Sequence, residues 1–270
     1  MSKKRVLYIS QEITPYLPES NISQIGRNLP QSMQEKGREI RTFMPKFGCI
    51  NERRNQLHEV IRLSGMNLII DDNDHPLIIK VASIQPARMQ VYFIDNEDYF
   101  QRKAVMEDKN GEFFEDNDER AIFFCRGVLE TVKKLGWAPD LIHCHGWMTS
   151  LIPLYLKTSY KNEPLFENAK VVTSVYDDCF KGKLDENFAQ KAIMDGLSEA
   201  EVKDFIDPTH ENLCKAAAKW SDGVILGNEN ASKIVEGIDN PILNYQGEEY
   251  VDAYSDFYDE ILAEEEVLAD

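Results

Sequence analysis

His143-Cys144-His145-Gly146-Trp147 is the densest run of chemistry-bearing side chains in this sequence. Alternation along a strand sends His143 and His145 to one face and Cys144 to the other. Two imidazoles on one face could hold a metal, but no third ligand follows at a zinc-like spacing. The plainer reading makes both histidines structural, satisfied by backbone groups. A third reading makes Trp147 an apolar platform for a sugar ring, with His145 as hydrogen-bond partner. Asp177-Asp178 could serve as an acid–base pair or a magnesium site. Adjacent residues point apart, so solvated loop acids are the plainer reading of that pair.

Such residues need a scaffold. Apolar or β-branched runs at 6–10, 40–44, 77–81, 91–95, 141–144, 171–175 and 224–226 alternate with helical patterns. Continuous apolar runs suit strands covered on both faces, as in a parallel sheet. One helix is predicted from Asp116-Asn117-Asp118-Glu119, a carboxylate-rich capping cluster, to Gly136, where a left-handed residue ends it. The order predicts an α/β fold: a doubly wound, mainly parallel, Rossmann-like sheet. Segments 58–70 and 75–84, joined by Asp71-Asp72-Asn73-Asp74, read as a β-hairpin insertion. In 249–262, Tyr250, Tyr254, Phe257, Tyr258 and Ile261 recur at helical spacing. This predicts a C-terminal amphipathic helix whose aromatic face docks on the chain's own core. The expected division is a domain over 1–247 with an acidic helical segment, 248–270, packed on it.

Ligands of open parallel sheets bind beyond the carboxyl ends of the strands. Residues there include Gln11, Asp95, His145, Trp147, Tyr176, Asp177 and Asn228, all expected to line a binding site. The set is polar and aromatic, without a G-x-G-x-x-G, a Walker loop or a nucleophile elbow.

Composition narrows the partners. The 270 residues carry 30 basic and 47 acidic side chains, a formal charge of −17. Such a chain repels phosphate backbones, which argues against nucleic acid and anionic membrane as partners. The acidic end from Glu248 onward reads as a solvated face or a dock for a basic protein. No apolar run approaches the roughly 20 residues of a membrane span. The opening residues read as a strand rather than a signal segment, so a cytoplasmic location is expected. The five scattered cysteines, Cys49, Cys125, Cys144, Cys179 and Cys214, fit free thiols.

Several of these residues also carry a resemblance. Asp116-Asn117, Glu119-Arg120 and Phe123-Phe124, the run from Pro139 to Trp147, then Leu151, Pro153 and Tyr155-Leu156-Lys157 resemble the family-5 glycosyltransferases. These are the bacterial glycogen and plant starch synthases. Val6 to Ser10 with Glu12 and Pro15, Leu29-Pro30, Gly37, Ile40-Arg41, the strand ending at Asp95, and the stretch from Lys215 to Asp222 extend the likeness over residues 4–236. The resemblance implies the first, acceptor-side lobe of a GT-B enzyme, whose second lobe would hold most of the ADP-glucose site. It also implies that catalytic features have been lost. The family's lysine-threonine-glycine-glycine-leucine loop aligns with Pro18, Glu19, Ser20, Asn21 and Ile22, which puts Glu19 near a phosphate site. Gly146 replaces an aspartate, and Tyr176 replaces a histidine near the transferred sugar.

The expectation is therefore a degenerate lobe that does not transfer glucose by itself and needs no cofactor. Its expected role is to bind an α-glucan or malto-oligosaccharide, or to regulate through a protein partner or as a homodimer. Two alternatives stand beside it. One is half of a split synthase, using ADP-glucose with a separate second lobe. The other is an acidic adaptor with a vestigial sugar crevice. The helix over 249–262 resembles the final helix of GT-B enzymes that crosses back onto the first lobe, with 236–247 in place of the second lobe.

Overall fold

The computed structural model describes residues 3–177 and 180–263. Asp178, Cys179 and the acidic end from Glu264 to Asp270 lie outside the described residues, so the Asp177-Asp178 pair is described for Asp177 alone.

In chain order the elements are β1 (Arg5–Ser10), α1 (Asn21–Glu35), β2 (Glu39–Pro45), β3 (His58–Glu59), β4 (Met66–Ile70), β5 (Asn73–Ile84), β6 (Met89–Asp95), α2 (Glu97–Phe100), α3 (Asn117–Leu135), β7 (Leu141–His145), α4 (Ile152–Lys157), β8 (Lys170–Val175), α5 (Phe188–Lys191), α6 (His210–Trp220), β9 (Gly223–Leu226), β10 (Ile242–Leu243) and α7 (Tyr250–Ala263). Each predicted apolar run forms a strand, and β7 and β9 are buried along their whole length. That burial is what such runs demand.

The strand order is β10-β9-β8-β7-β1-β2-β6-β5-β3, with β4 on β5. From β10 through β6 every pairing is parallel. β5 runs antiparallel to β3, β4 and β6. The chain leaves β1 in one direction for β2 and returns on its other side as β7. The crevice at this reversal is where a parallel sheet offers a binding site.

Side-chain alternation sorts the core into two layers. Leu7, Ile9, Ile142 and Cys144 face α3, α4 and α6. Val6, Tyr8, Leu141 and Val172 face Ile22, Ile25, Leu29 and Met33 of α1 and Tyr254, Phe257, Tyr258 and Ile261 of α7. The aromatic stripe of the last helix is thus inside the protein. α7 lies so close to β9 that a Cβ on Gly223 would come within 2.8 Å of Ile261.

Three local expectations need correction. The segment 58–70 is not one extended run, because backbone bonds from Leu63 and Ser64 to Val60 fold it into a turn that buries Leu63. The turn after β4 is tighter than Asp71 to Asp74: only Asp71 and Asp72 have positive φ, 48° and 60°, and Asn73 already pairs with Ile70. This is the two-residue hairpin geometry whose twist matches the strands. Asp116 stands at the start of α3 but caps nothing through its side chain. Its carboxylate instead takes Arg102 Nη2 at 2.8 and 2.6 Å. Asp118 and Glu119 in the first turn are held by Lys191 at 2.8 and 2.9 Å. At the other end Gly136 has φ 62° and stops α3 as expected.

Candidate functional site

A cavity of about 710 Å³ opens at the carboxyl ends of β1, β7 and β8. Gln11 enters it directly after β1, Gly146 and Trp147 after β7, and Tyr176 after β8. Pro18, Glu19, Ser20, Asn21 and Ile22 form the wall at the start of α1.

That wall is closed on itself. Ser20 Oγ accepts from the Ser23 amide at 3.0 Å, and Ser23 Oγ accepts from the Ser20 amide at 2.8 Å. This reciprocal cap satisfies two donors that a helix N-terminus would otherwise offer an anion. Ser20 Oγ also donates to Glu12 Oε2 at 2.6 Å, and Asn21 Nδ2 donates to the Gly227 carbonyl at 2.9 Å. Glu12, Glu19, Glu107 and Asp108 line the cavity, and its described lining residues include no lysine or arginine. The local potential is therefore repulsive to phosphate.

Trp147, expected as an apolar platform, lines the cavity with only 4% of its surface exposed. Phe180 meets its ring edge-on with centroids 5.0 Å apart, and Phe113 lies 6.2 Å away. Phe113 and Phe180 stack on one another at 4.9 Å. The ring thus forms part of an aromatic wall rather than an open face. Phe113 comes from a short hairpin in which Glu107 bridges Phe113 and Asp108 Oδ1 accepts from the amides of Asn110 and Glu112. Val105, Met106, Phe113, Phe180 and His210 were missed as cavity residues. Asp108-x-Asn110-Gly111 between apolar flanks was a readable turn signal for this hairpin. Nothing local marked Phe180.

His145 does not line the cavity. It is fully buried behind Tyr176, whose hydroxyl lies 2.9 Å from His145 Nδ1, and its Nε2 has no hydrogen-bond partner among the described residues. His143 lies against it with ring centroids 3.9 Å apart. Its Nδ1 is 2.5 Å from the Tyr258 hydroxyl and its Nε2 is 2.8 Å from Ser174 Oγ. Side-chain hydroxyls hold both histidines, where the structural reading expected backbone groups. Burial pushes His145 down to about 3 and holds His143 well below its ordinary range, so both are neutral near pH 7. Among the described residues no cluster of three or more potential ligands could hold a metal.

Asp95 is also away from the cavity. Lys80 pairs with it at 2.9 Å and with Glu52 at 2.8 Å, in a network that Lys46 joins at 2.7 Å. Asp177 and Asn228 stand outside the lining as well. Asn228 Nδ2 donates to Asp177 Oδ1 at 2.5 Å, while Asn228 Oδ1 accepts from the Ala231 amide at 3.0 Å and caps the following turn. Asp95 ends β6, two strands beyond β1 and away from the reversal, whereas Asp177 and Asn228 follow β8 and its neighbour β9 and are turned toward each other just behind Tyr176. Gln11 does sit there, with Oε1 accepting from the Met148 amide at 3.3 Å and Nε2 donating to Glu12 at 3.2 Å.

Gly146 adopts φ 89°, and a Cβ there would come within 2.8 Å of Gln11 Cβ and Oε1. Gly146→Asp is expected to destabilise the fold by about 1–3 kcal/mol, through left-handed strain and displacement of Gln11. Urea unfolding measures this, and an unchanged midpoint would mean that the turn relaxes freely.

Comparisons with known proteins bear on the family and the fold. Residues 5–235 match the family model described as the starch synthase catalytic domain. A glycogen synthase of Chlorobium limicola is 40% identical over 197 residues, covering 73% of this chain and 40% of that protein. One from Chlorobaculum tepidum is 34% identical over 261 residues, covering 96% of this chain and 52% of that protein. The chain spans about half the length, or less, of these relatives. The solved catalytic domain of Starch Synthase IV from Arabidopsis thaliana, bound to ADP and acarbose, superposes with a TM-score of 0.67 at 20% identity. That superposition covers 83% of this chain and 45% of the other, and it bears on the fold. Among the described residues no helix is long and apolar enough to cross a membrane.

Proposed function

From the premise that this chain belongs to the starch synthase catalytic domain family, we propose that it binds a neutral α-glucan or malto-oligosaccharide and does not transfer glucose by itself. The observation that carries this reading is the cavity at the β1/β7 reversal: an aromatic wall, hydrogen-bonding groups, and carboxylates without a lysine or arginine. Sugar rings gain from apolar faces and from hydroxyl partners, and neither contact requires a cation. A nucleotide diphosphate would bring negative charge beside Glu12 and Glu19, at a helix start whose cap is already occupied. The role that follows is a glucan-holding or regulatory module.

Calorimetric titration tests this. A malto-oligosaccharide is expected to give saturable heat, and ADP-glucose none. Trp147→Ala should weaken saccharide binding at least tenfold. Because Trp147 is buried, Phe113→Ala, at the half-buried rim, serves as a second variant with the same direction of effect. A folded wild-type chain that gives no heat with saccharide would overturn the reading. Saturable ADP-glucose binding would favour instead one half of a synthase.

A further inference from the structure

The C-terminal helix and the cavity share a buried polar line. Tyr258 on α7 meets His143 Nδ1 at 2.5 Å, and His143 Nε2 meets Ser174 Oγ at 2.8 Å. The Tyr254 ring of the same helix lies with its centroid 6.1 Å from that of His143. In parallel, Tyr176 meets His145 Nδ1 at 2.9 Å, and the two imidazoles lie with centroids 3.9 Å apart. Ser174 and Tyr176 both line the cavity. Ser174 and Tyr254 are 2% exposed, Tyr176 is 1% exposed, and His143, His145 and Tyr258 are fully buried.

A neutral imidazole carries one proton, so a partner fixed at one nitrogen sets the role of the other. If Ser174 donates to His143 Nε2, then Nδ1 must donate to Tyr258, and the reverse tautomer exchanges both roles. A change at the cavity wall therefore reaches α7 as a change in hydrogen bonding, in a setting where such chains polarise one another. On its outer side α7 is held by Arg38, which donates to the Ser255 carbonyl and hydroxyl at 3.2 Å, and by two ion pairs. Lys36–Asp252 at 2.6 Å and Arg38–Asp259 at 3.0 Å place an exposed carboxylate at each pair. Such pairs are worth little in water. A helix held chiefly by one buried face is the kind of element that opens before the rest of a fold.

We infer that α7 is coupled to the cavity through the Ser174–His143–Tyr258 and Tyr176–His145 contacts, so that cavity occupancy and helix docking regulate one another. Coupling of two equilibria is reciprocal. A ligand that orders the β8 wall tightens α7, and loosening α7 lowers the affinity for that ligand. The ligand half of this statement rests on the saccharide reading above, but the coupling itself does not.

Amide hydrogen exchange of α7 tests the coupling without any ligand. In Tyr176→Phe and Ser174→Ala, α7 amides are expected to exchange at least tenfold faster, with amides of β1 and β7 unchanged. Glu107→Gln, which alters the cavity rim without touching the line, should leave α7 as in the wild type. Wild-type α7 exchange in both Tyr176→Phe and Ser174→Ala would overturn the inference, whether or not a saccharide binds. With malto-oligosaccharide added, α7 exchange should slow. An α7 that responds to Tyr176→Phe and Ser174→Ala in a chain that binds no saccharide supports the coupling and removes only the saccharide reading.

Discussion

Tyr258→Ala is expected to lower the free energy of unfolding by about 4–6 kcal/mol, combining the loss of a buried aromatic ring with an orphaned buried imidazole nitrogen. Tyr258 is fully buried against the sheet face that also holds Val6, Tyr8 and Val172. Its ring meets His143 edge-on at 5.6 Å, and the Arg38 guanidinium lies 5.5 Å from its centroid on the outer side. Removing the ring leaves a cavity between α7 and β7 and strips His143 Nδ1 of its partner. Against a typical total of about 5–15 kcal/mol, that loss brings the chain close to unfolding at ambient temperature. Tyr258→Phe keeps the packing and removes only the hydroxyl, so about 1–3 kcal/mol is expected. Urea unfolding of the two variants beside the wild type separates packing from hydrogen bonding. A cost below about 1.5 kcal/mol for Tyr258→Ala would mean that α7 is an appendage rather than part of the core.

Acid should act on the same layer. His143 and His145 are neutral when folded because burial lowers both, His145 to about 3. Once unfolded, each returns to about 6.5 and takes up a proton below that pH. The unfolded chain then binds more protons than the folded one, so stability falls as pH falls. The contribution is fully present above about pH 6.5 and declines from there toward the folded values, with a limiting slope of about 1.4 kcal/mol per pH unit for each histidine. For His145 this is roughly 2 kcal/mol between pH 6.5 and 5. His210, also lowered by burial and partly restored by Asp177, acts in the same direction. The groups around the pair are Tyr8, Ser174, Tyr176, Tyr254 and Tyr258, with Arg38 outside them. None of these is a carboxylate that could stabilise a buried imidazolium. Thermal unfolding at pH 7.5, 6.5, 5.8 and 5.0 should show a falling midpoint across the lower three values. A flat profile over that window would require a protonated histidine to be accommodated in the fold.

The sheet was legible because burial on both faces leaves a mark that needs no knowledge of neighbours. The runs at β1, β6 and β9 are apolar on consecutive residues, and covered strands are where such runs sit. The last helix was legible for a related reason, since Tyr254, Phe257, Tyr258 and Ile261 share one side and had to dock. The start of α3 shows where local signals mislead. Asp116 has the residue type of a cap, but Arg102 at 2.6 Å offers its carboxylate a charge-assisted bond that a backbone amide does not match.

The site divided along the same line. The sequence by itself determined that polar and aromatic residues follow the strands, that Gly146 and Glu19 stand at the positions they do, and that the chain resembles the starch and glycogen synthases. Only the tertiary structure decided which of those residues meet. Strand order brings Gln11, Gly146 and Tyr176 together at the β1/β7 reversal and carries Asp95 toward Lys80 instead. It also set His145 behind Tyr176, out of the cavity lining, and packed Phe113 and Phe180 beside Trp147. The physical reason is that residue type and periodicity are local quantities. Meeting in a crevice depends on the order in which distant strands pair, and that is settled by the packing of the whole sheet against its two helical layers.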